Sequence, residues 1–210
     1  DPVSSPGKTK GGVLLPNISG SAGEVLIVMD NTNWKSNAGN TLRETLEQVY
    51  PALPQPEPLF DVVHITDAAF DNLFQLHRSI IKVNIEPEYT ESEVRFFENV
   101  WAKPQIVIQI NVKNSYDLEA VLEKEKEKIL YQIQSYDRNR LMNIYNDSKD
   151  QAIKAEVAKF NISLAIPRGY NTDFVNDEFG SFSIETPKTS QVIFVYQYPY
   201  SNEYDLKTEN

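Results

Sequence analysis

VRFFENVWAKPQIVIQINV, Val94–Val112, is the stretch on which the fold reading turns. Ile106, Ile108, Ile110 and Val112 recur at every second position, the period of a strand with one face buried. Gln105, Gln109 and Asn111 fill the opposite face, with Val107 its one apolar interruption. The preceding run supplies Val94, Phe96, Phe97, Val100 and Trp101, the β-branched and aromatic residues that suit a pleated surface. Lys103-Pro104 separates the runs, and proline, which has no N–H to give a ladder, belongs at such a junction. The stretch predicts two successive strands at the centre of a sheet.

Composition narrows what such a sheet can serve. The chain has 210 residues, 40% hydrophobic and 11% aromatic, enough to bury a core and unlike a disordered polymer. Its formal charge of −10 disfavours nucleic acid and anionic lipid, which both ask for a basic surface. It has no cysteine, which removes disulfides, thiolate zinc sites and cysteine nucleophiles. No apolar run approaches the ~20 residues that cross a bilayer, so no transmembrane span is expected.

Residues 1–22 are rich in Ser, Gly, Pro and Asn and read as a flexible tether. Asp1, standing where a methionine would, reads as a processed or trimmed start. Ser5–Lys8 fits S-x-x-K, and Gly7-Lys8-Thr9 is the tail of a P-loop. Each lacks the strand, the further glycine or the partner motifs its chemistry needs. EVLIVMD, Glu24–Asp30, is a buried strand by its nearly continuous apolar run. Asp30, Thr32 and Trp34 fall at the spacing of a D-x-S-x-S metal loop, but an indole cannot ligate a hard cation, so Asp30 is expected to organise the loop Asn31–Asn40. Thr41 and Glu44 form a capping box for a helix bearing Leu42, Leu46 and Val49. The proline-rich Pro51–Pro58 reads as a stiff connection into a strand with Val62, Val63 and Ile65. A short helix with Phe70, Leu73 and Phe74 follows, then a strand with Ile80, Ile81, Val83 and Ile85.

The two histidines, His64 and His77, have no partner at a catalytic or metal-binding spacing. His77-Arg78 reads as a cationic helix end. From Asn114 a helical period runs through residues 115–160, with a break near Asn146–Ser148 and a capping box from Ser148 to Gln151. Ile162, Leu164 and Ile166 alternate as a strand, and Asn171–Gly180 reads as a hairpin turn. In the last strand Val192, Phe194, Tyr196, Tyr198 and Tyr200 share one face. Tyr196, Tyr198 and Tyr200 are the candidate ligand-binding residues, a stacking platform for a sugar, against the alternative that they pack on a neighbouring element. No catalytic residue, metal ligand or cofactor site is assigned.

LPQPEPLFDVVHI, then Phe70, Leu73, Phe74, His77, Arg78 and Ile80, then NVWAKPQIVIQI, IPRGY (Ile166–Tyr170) and ETPKTSQVIFVYQYPY (Glu185–Tyr200) carry a family resemblance. The chain resembles an uncharacterised, domain-of-unknown-function family of predicted lipoproteins from Bacteroidetes. That resemblance implies an exported protein, in the periplasm or attached to the outer membrane, anchored by lipid on a cysteine upstream of the tether. It brings no catalytic position, and it leaves open a C-terminal extension beyond Asn210.

The expected architecture is α+β, a mainly antiparallel or mixed sheet with helices packed on one side, in a single domain 23–210. A doubly wound nucleotide-binding domain is disfavoured, because no glycine fingerprint follows Glu24–Asp30. The expected function is a non-catalytic cell-envelope module for binding or assembly, its partner an envelope protein or glycan. The alternative is a hydrolase of envelope glycan or peptide using a carboxylate pair from Glu86–Glu93 or Asp173–Glu178.

Overall fold

The computed structural model describes residues 14–202 apart from Ala52, Pro54 and Lys188. The Ser5–Lys8 and Gly7–Thr9 matches and most of the tether therefore lie outside the described residues. The chain packs as two compact units, one ending at Asn139 and one beginning at Arg140.

In the first unit, the run at Glu24 becomes β1 (Glu24–Val28), followed by α1 (Asn31–Trp34), α2 (Asn37–Leu46), β2 (Asp61–Ile65), β3 (Ser79–Ile85), β4 (Glu93–Glu98) and β5 (Ile106–Val112). The strands form one sheet ordered β2-β1-β3-β5-β4. Four of them run parallel, and β4 is antiparallel to β5. The handedness of crossovers explains the layers. Passing from β1 to β2 moves the chain one way across the sheet, and passing from β2 to β3 moves it back past β1. Right-handed connections then lie on opposite faces. Accordingly Leu42 and Leu46 of α2 pack with Val25 and Ile27, whereas Phe70 and Phe74 pack with Leu26 and Val28. The long helix α3 (Ser115–Ser148) returns to the first face through Leu118, Leu122, Ile129 and Ile133. The fold is α+β with a mixed sheet, and both longer helices of this unit lie on one side, as the sequence predicts.

Several local expectations are corrected. The β4–β5 pair is not the centre of the sheet: β4 is an edge and β5 lies beside it. Nor is β5 half-buried, since all of its residues are buried, Gln109 and Asn111 included. Strands in a parallel sheet are covered on both faces, so alternating polar residues there pair with one another. Gln109 Nε2 and Asn84 Nδ2 both donate to Asn111 Oδ1, at 3.1 and 2.7 Å. Asn31–Asn40 is not loop. Asp30 caps α1 by accepting from the backbone N–H groups of Thr32 and Asn33, each at 2.9 Å, which is the organising role expected of it. Ser36, not Thr41, caps α2, accepting from Ala38 N. Gly39 is required there because a Cβ would lie 1.9 Å from the Trp34 carbonyl oxygen. The helix expected around Phe70 is reduced to two 3-10 turns, Asp67–Ala69 and Phe74–Leu76. The Pro51–Pro58 run is closed at its base by Tyr50 N donating to Glu57 O and Leu59 N to Gln48 O. It delivers the buried Phe60 to β2.

His77 does stand at a helix end, as the C-cap of the Phe74–Leu76 turn, but its side chain is held by other groups. Its Nε2 lies 2.7 Å from Glu24 Oε1 and its Nδ1 3.0 Å from Ser79 O, so the ring ties the start of β1 to the start of β3. Gly20 leaves room for this ring, since a Cβ would stand 2.5 Å from Nε2. Glu24→Ala should lower stability by about 1–3 kcal/mol, because the buried imidazole loses its charged partner. Urea unfolding followed by circular dichroism measures this, and an unchanged midpoint would contradict it.

In the second unit the expected helical break is present, with the cap of the following helix two residues later than predicted, at Asp150 and not Ser148. After α3, Asp150 caps α4 (Gln151–Val157), accepting from Ala152 N and Ile153 N, while Ser148 bonds back to Ile144 O. Ile162–Ile166 is not a strand. Ile162 and Leu164 are exposed and only Ile166 is buried; among the described residues the segment forms no ladder, and Asp150 N donates to Ile166 O at 2.9 Å. The hairpin reading of Asn171–Gly180 holds. β6 (Asn171–Val175) and β7 (Phe179–Glu185) flank a turn in which Asn176 accepts from the N–H groups of Glu178 and Phe179. β8 (Ser190–Tyr196) completes an antiparallel sheet ordered β6-β7-β8. One face of it buries Phe182 and Val195 against Ile153, Val157 and Phe160.

Candidate functional site

Side chains alternate between the two faces of a strand. In β8 the odd positions Ile193 and Val195 turn to the small core, which forces Val192, Phe194 and Tyr196 outward. Phe174, Phe194, Tyr196, Tyr198 and Tyr200 are 53, 62, 67, 50 and 65% exposed. Among the described residues, Tyr196, Tyr198 and Tyr200 each keep half or more of their surface exposed. Tyr196 ends β8, while Tyr198 and Tyr200 lie in the extended segment just after it. The Tyr196 and Tyr198 rings stack at 6.1 Å between centroids and 15° between planes.

The structure adds members that the last strand alone did not reveal. Phe194 stacks with Phe179 at 5.8 Å, and Phe179 meets Phe174 at 6.2 Å, so an aromatic row crosses the sheet from β8 to β6. The signal for these rings is the alternation on either side of Asn176, which puts Phe174 and Phe179 on one face of the hairpin. Beside them lies a polar group. Asp173 accepts from Ser181 Oγ at 3.1 Å and from Ser183 Oγ at 2.7 Å. The register places Ser181 opposite Phe194 and Ser183 opposite Val192, so the Ser181 hydroxyl adjoins the Phe194 ring. Flat apolar rings next to fixed oxygen acceptors can stack on the C–H face of a sugar and bond its hydroxyls.

The other candidate residues are placed differently. His64 stacks on Trp34 at 4.4 Å and its Nε2 lies 2.8 Å from Met29 O, with the Arg43 guanidinium 4.3 Å from the Trp34 ring centre. Those groups are occupied with one another. Ser79, His77 and Glu24 have the composition of a nucleophile, base and acid, but Nδ1 of the imidazole faces the Ser79 backbone and the serine is fully buried, out of reach of a substrate. In the acidic loop, Glu86, Glu88 and Glu91 are exposed and Glu93 pairs with Arg95 at 2.5 Å. Burial and the Glu86 carboxylate raise the Tyr89 phenol above its ordinary range. Asp173, Asp177 and Glu178 are exposed on a hairpin. A cleft of about 570 Å³ between α2 and α3 is lined by Glu44, Glu119 and Glu123 with Asn37, Asn40 and Thr41. Among the described residues no three His, Asp or Glu side chains are placed to hold a metal ion. Among the same residues no helix is long and apolar enough to cross a membrane.

No curated protein and no solved structure matches the chain. A family model described as Domain of unknown function (DUF8532) matches residues 18–146, which takes in the five-stranded sheet and nearly all of α3 and stops short of β6, β7 and β8. With more than half of its length matched, the chain belongs to that family of domains of unknown function.

Proposed function

We propose that the protein is a non-catalytic binding or assembly module of the cell envelope that takes its ligand on the aromatic face of β6, β7 and β8. One observation supports the reading: Phe174, Phe194 and Tyr196 stand more than half exposed on one sheet face, with Asp173 and a serine hydroxyl beside Phe194, and Tyr198 and Tyr200 are exposed in the segment that follows β8. Exposed rings in a cluster mark a recognition surface, since a contiguous aromatic patch in water is unfavourable until it is covered. An envelope glycan suits the mixture of rings and oxygen acceptors. The envelope setting, with export and a lipid on an upstream cysteine, is supported by the resemblance in the LPQPEPLF and NVWAKPQIVIQI segments and by the Ser, Gly, Pro and Asn-rich start.

A glycan array and a pull-down from envelope extract test this reading. The wild type is expected to retain a glycan or envelope component, and Tyr196→Ala/Tyr198→Ala/Tyr200→Ala is expected to lose it. The triple variant should keep its fold, because exposed substitutions of this kind change stability by roughly 0.5 kcal/mol or less each. Retention that survives the triple substitution, or none by the wild type, overturns it.

A further inference from the structure

We infer that two copies of this chain pair through the edge of β8 that no described strand occupies, antiparallel about a two-fold axis at Phe194, joining two three-stranded sheets into one of six strands. The inference names a partner for the edge of the sheet that carries the proposed binding face, and rests on the assembly side of that reading.

The hydrogen-bond alternation of an antiparallel ladder fixes which backbone groups are available. Thr186 N donates to Thr189 O at one end of the β7–β8 ladder, and Gln197 N donates to Glu178 O at the other. With the observed register, the odd residues of β8 bond to β7. The N–H and C=O groups of Val192, Phe194 and Tyr196 therefore point away from the sheet along its open side.

Sheet edges are ordinarily blunted by charge, proline or bulges, which keep them from pairing with other chains. The remaining edges here follow that rule. β6 carries a register shift between Thr172 and Phe174 and exposes Asp173. In the first unit, β4 carries Glu93, Arg95 and Glu98, and β2 carries Asp61. β8 has none of these devices. Its pairing is regular from Ser190 to Tyr196, and no charged side chain occurs from Thr189 to Asn202. Proline enters only at Pro199, beyond the strand.

Charge argues for a second copy as the occupant. The chain is strongly acidic at −10, so two copies repel except where a neutral strip can be apposed. β8 is such a strip, and it is self-complementary. A two-fold at Phe194 sets that ring opposite its own copy, Val192 opposite Tyr196, and Ser190 opposite Tyr198. Aromatic–aromatic and aromatic–β-branched cross-strand pairs are among the favourable ones. An isologous contact of this kind closes after two chains and does not propagate. A single strand pair lies at the small end of specific interfaces, so the dimer is expected to depend on concentration.

Sedimentation velocity on the full chain, over a wide range of concentrations, tests the pairing. The mass is expected to rise from 24.0 kDa toward twice that value. Phe194→Lys and Phe194→Glu should each remain monomeric, because each sets like charges face to face. An equimolar mixture of the two should recover the dimer, a result that misfolding cannot mimic. Val192→Pro removes an outward N–H without costing a bond to β7, and should also abolish the dimer. A wild type that stays monomeric throughout, a dimer that persists in both charged variants, or a mixture that stays monomeric overturns the inference. A monomeric wild type that still retains a glycan sinks the pairing and leaves the binding reading standing. Charge-reversible dimerisation with no glycan or envelope component retained does the reverse.

Discussion

Gln105→Leu is expected to lower the stability of the first unit by about 3–5 kcal/mol, although leucine has nearly the same volume and is the more apolar residue. Gln105 is fully buried at the foot of β5. Its Oε1 accepts from the backbone N–H groups of Trp101 and Ala102, at 3.0 and 3.3 Å. Its Nε2 donates to the carbonyls of Gln75 and His77, both at 2.7 Å. One side chain thus satisfies backbone groups from two separate connections that no strand reaches. Leucine strands all of them, and a buried backbone group without a partner costs about 1–3 kcal/mol, partly relieved by local movement. Urea unfolding gives the loss. Hydrogen exchange locates it, with the amides of Trp101 and Ala102 losing protection first. A variant with wild-type midpoint and unchanged exchange would show that the network contributes nothing.

Phe182→Ala is expected to remove about 3–5 kcal/mol from the second unit and to leave β6, β7 and β8 without stable pairing. The ring is fully buried at the middle of a core whose other buried members are Ile153, Val157, Phe160, Ile166 and Val195. So small a core supplies only a few kcal/mol in all, which makes one large cavity comparable to its whole stability. Hydrogen exchange should show protection lost across β6, β7 and β8 while the amides of β1, β3 and β5 keep theirs. Protection of β7 and β8 at wild-type levels would mean that the unit is held by something other than this ring. The comparison also guards the binding experiment, because any ligand carried by Tyr196 and Tyr198 should vanish together with the sheet that presents them.

The two variants mark the boundary between what could be read from the chain and what could not. Alternation at Ile106–Val112 and the continuous run at Glu24 identified strands correctly, because the period of side chains along a strand is a property of the backbone alone. The same reasoning placed helical residues from Ser115 onward and the hairpin at Asn176. It failed for Ile162–Ile166, where the alternation is genuine but no strand among the described residues pairs with it. It failed for β5 as well. Gln105, Gln109 and Asn111 look like a solvent-facing row, and only the layers on both faces of a parallel sheet make them interior.

Local chemistry determined most of the strands, the long helix α3, the α+β class and the common face of Val192, Phe194 and Tyr196, since each follows from spacing and side-chain type within a short stretch. Tertiary structure alone decided that β4 is an edge, that His77 meets Glu24, that Phe174 and Phe179 join the row of rings, and that the row faces solvent. Those outcomes depend on which distant segments arrive on each side of a strand. Burial is a property of the neighbours, and the neighbours here come from elsewhere in the chain.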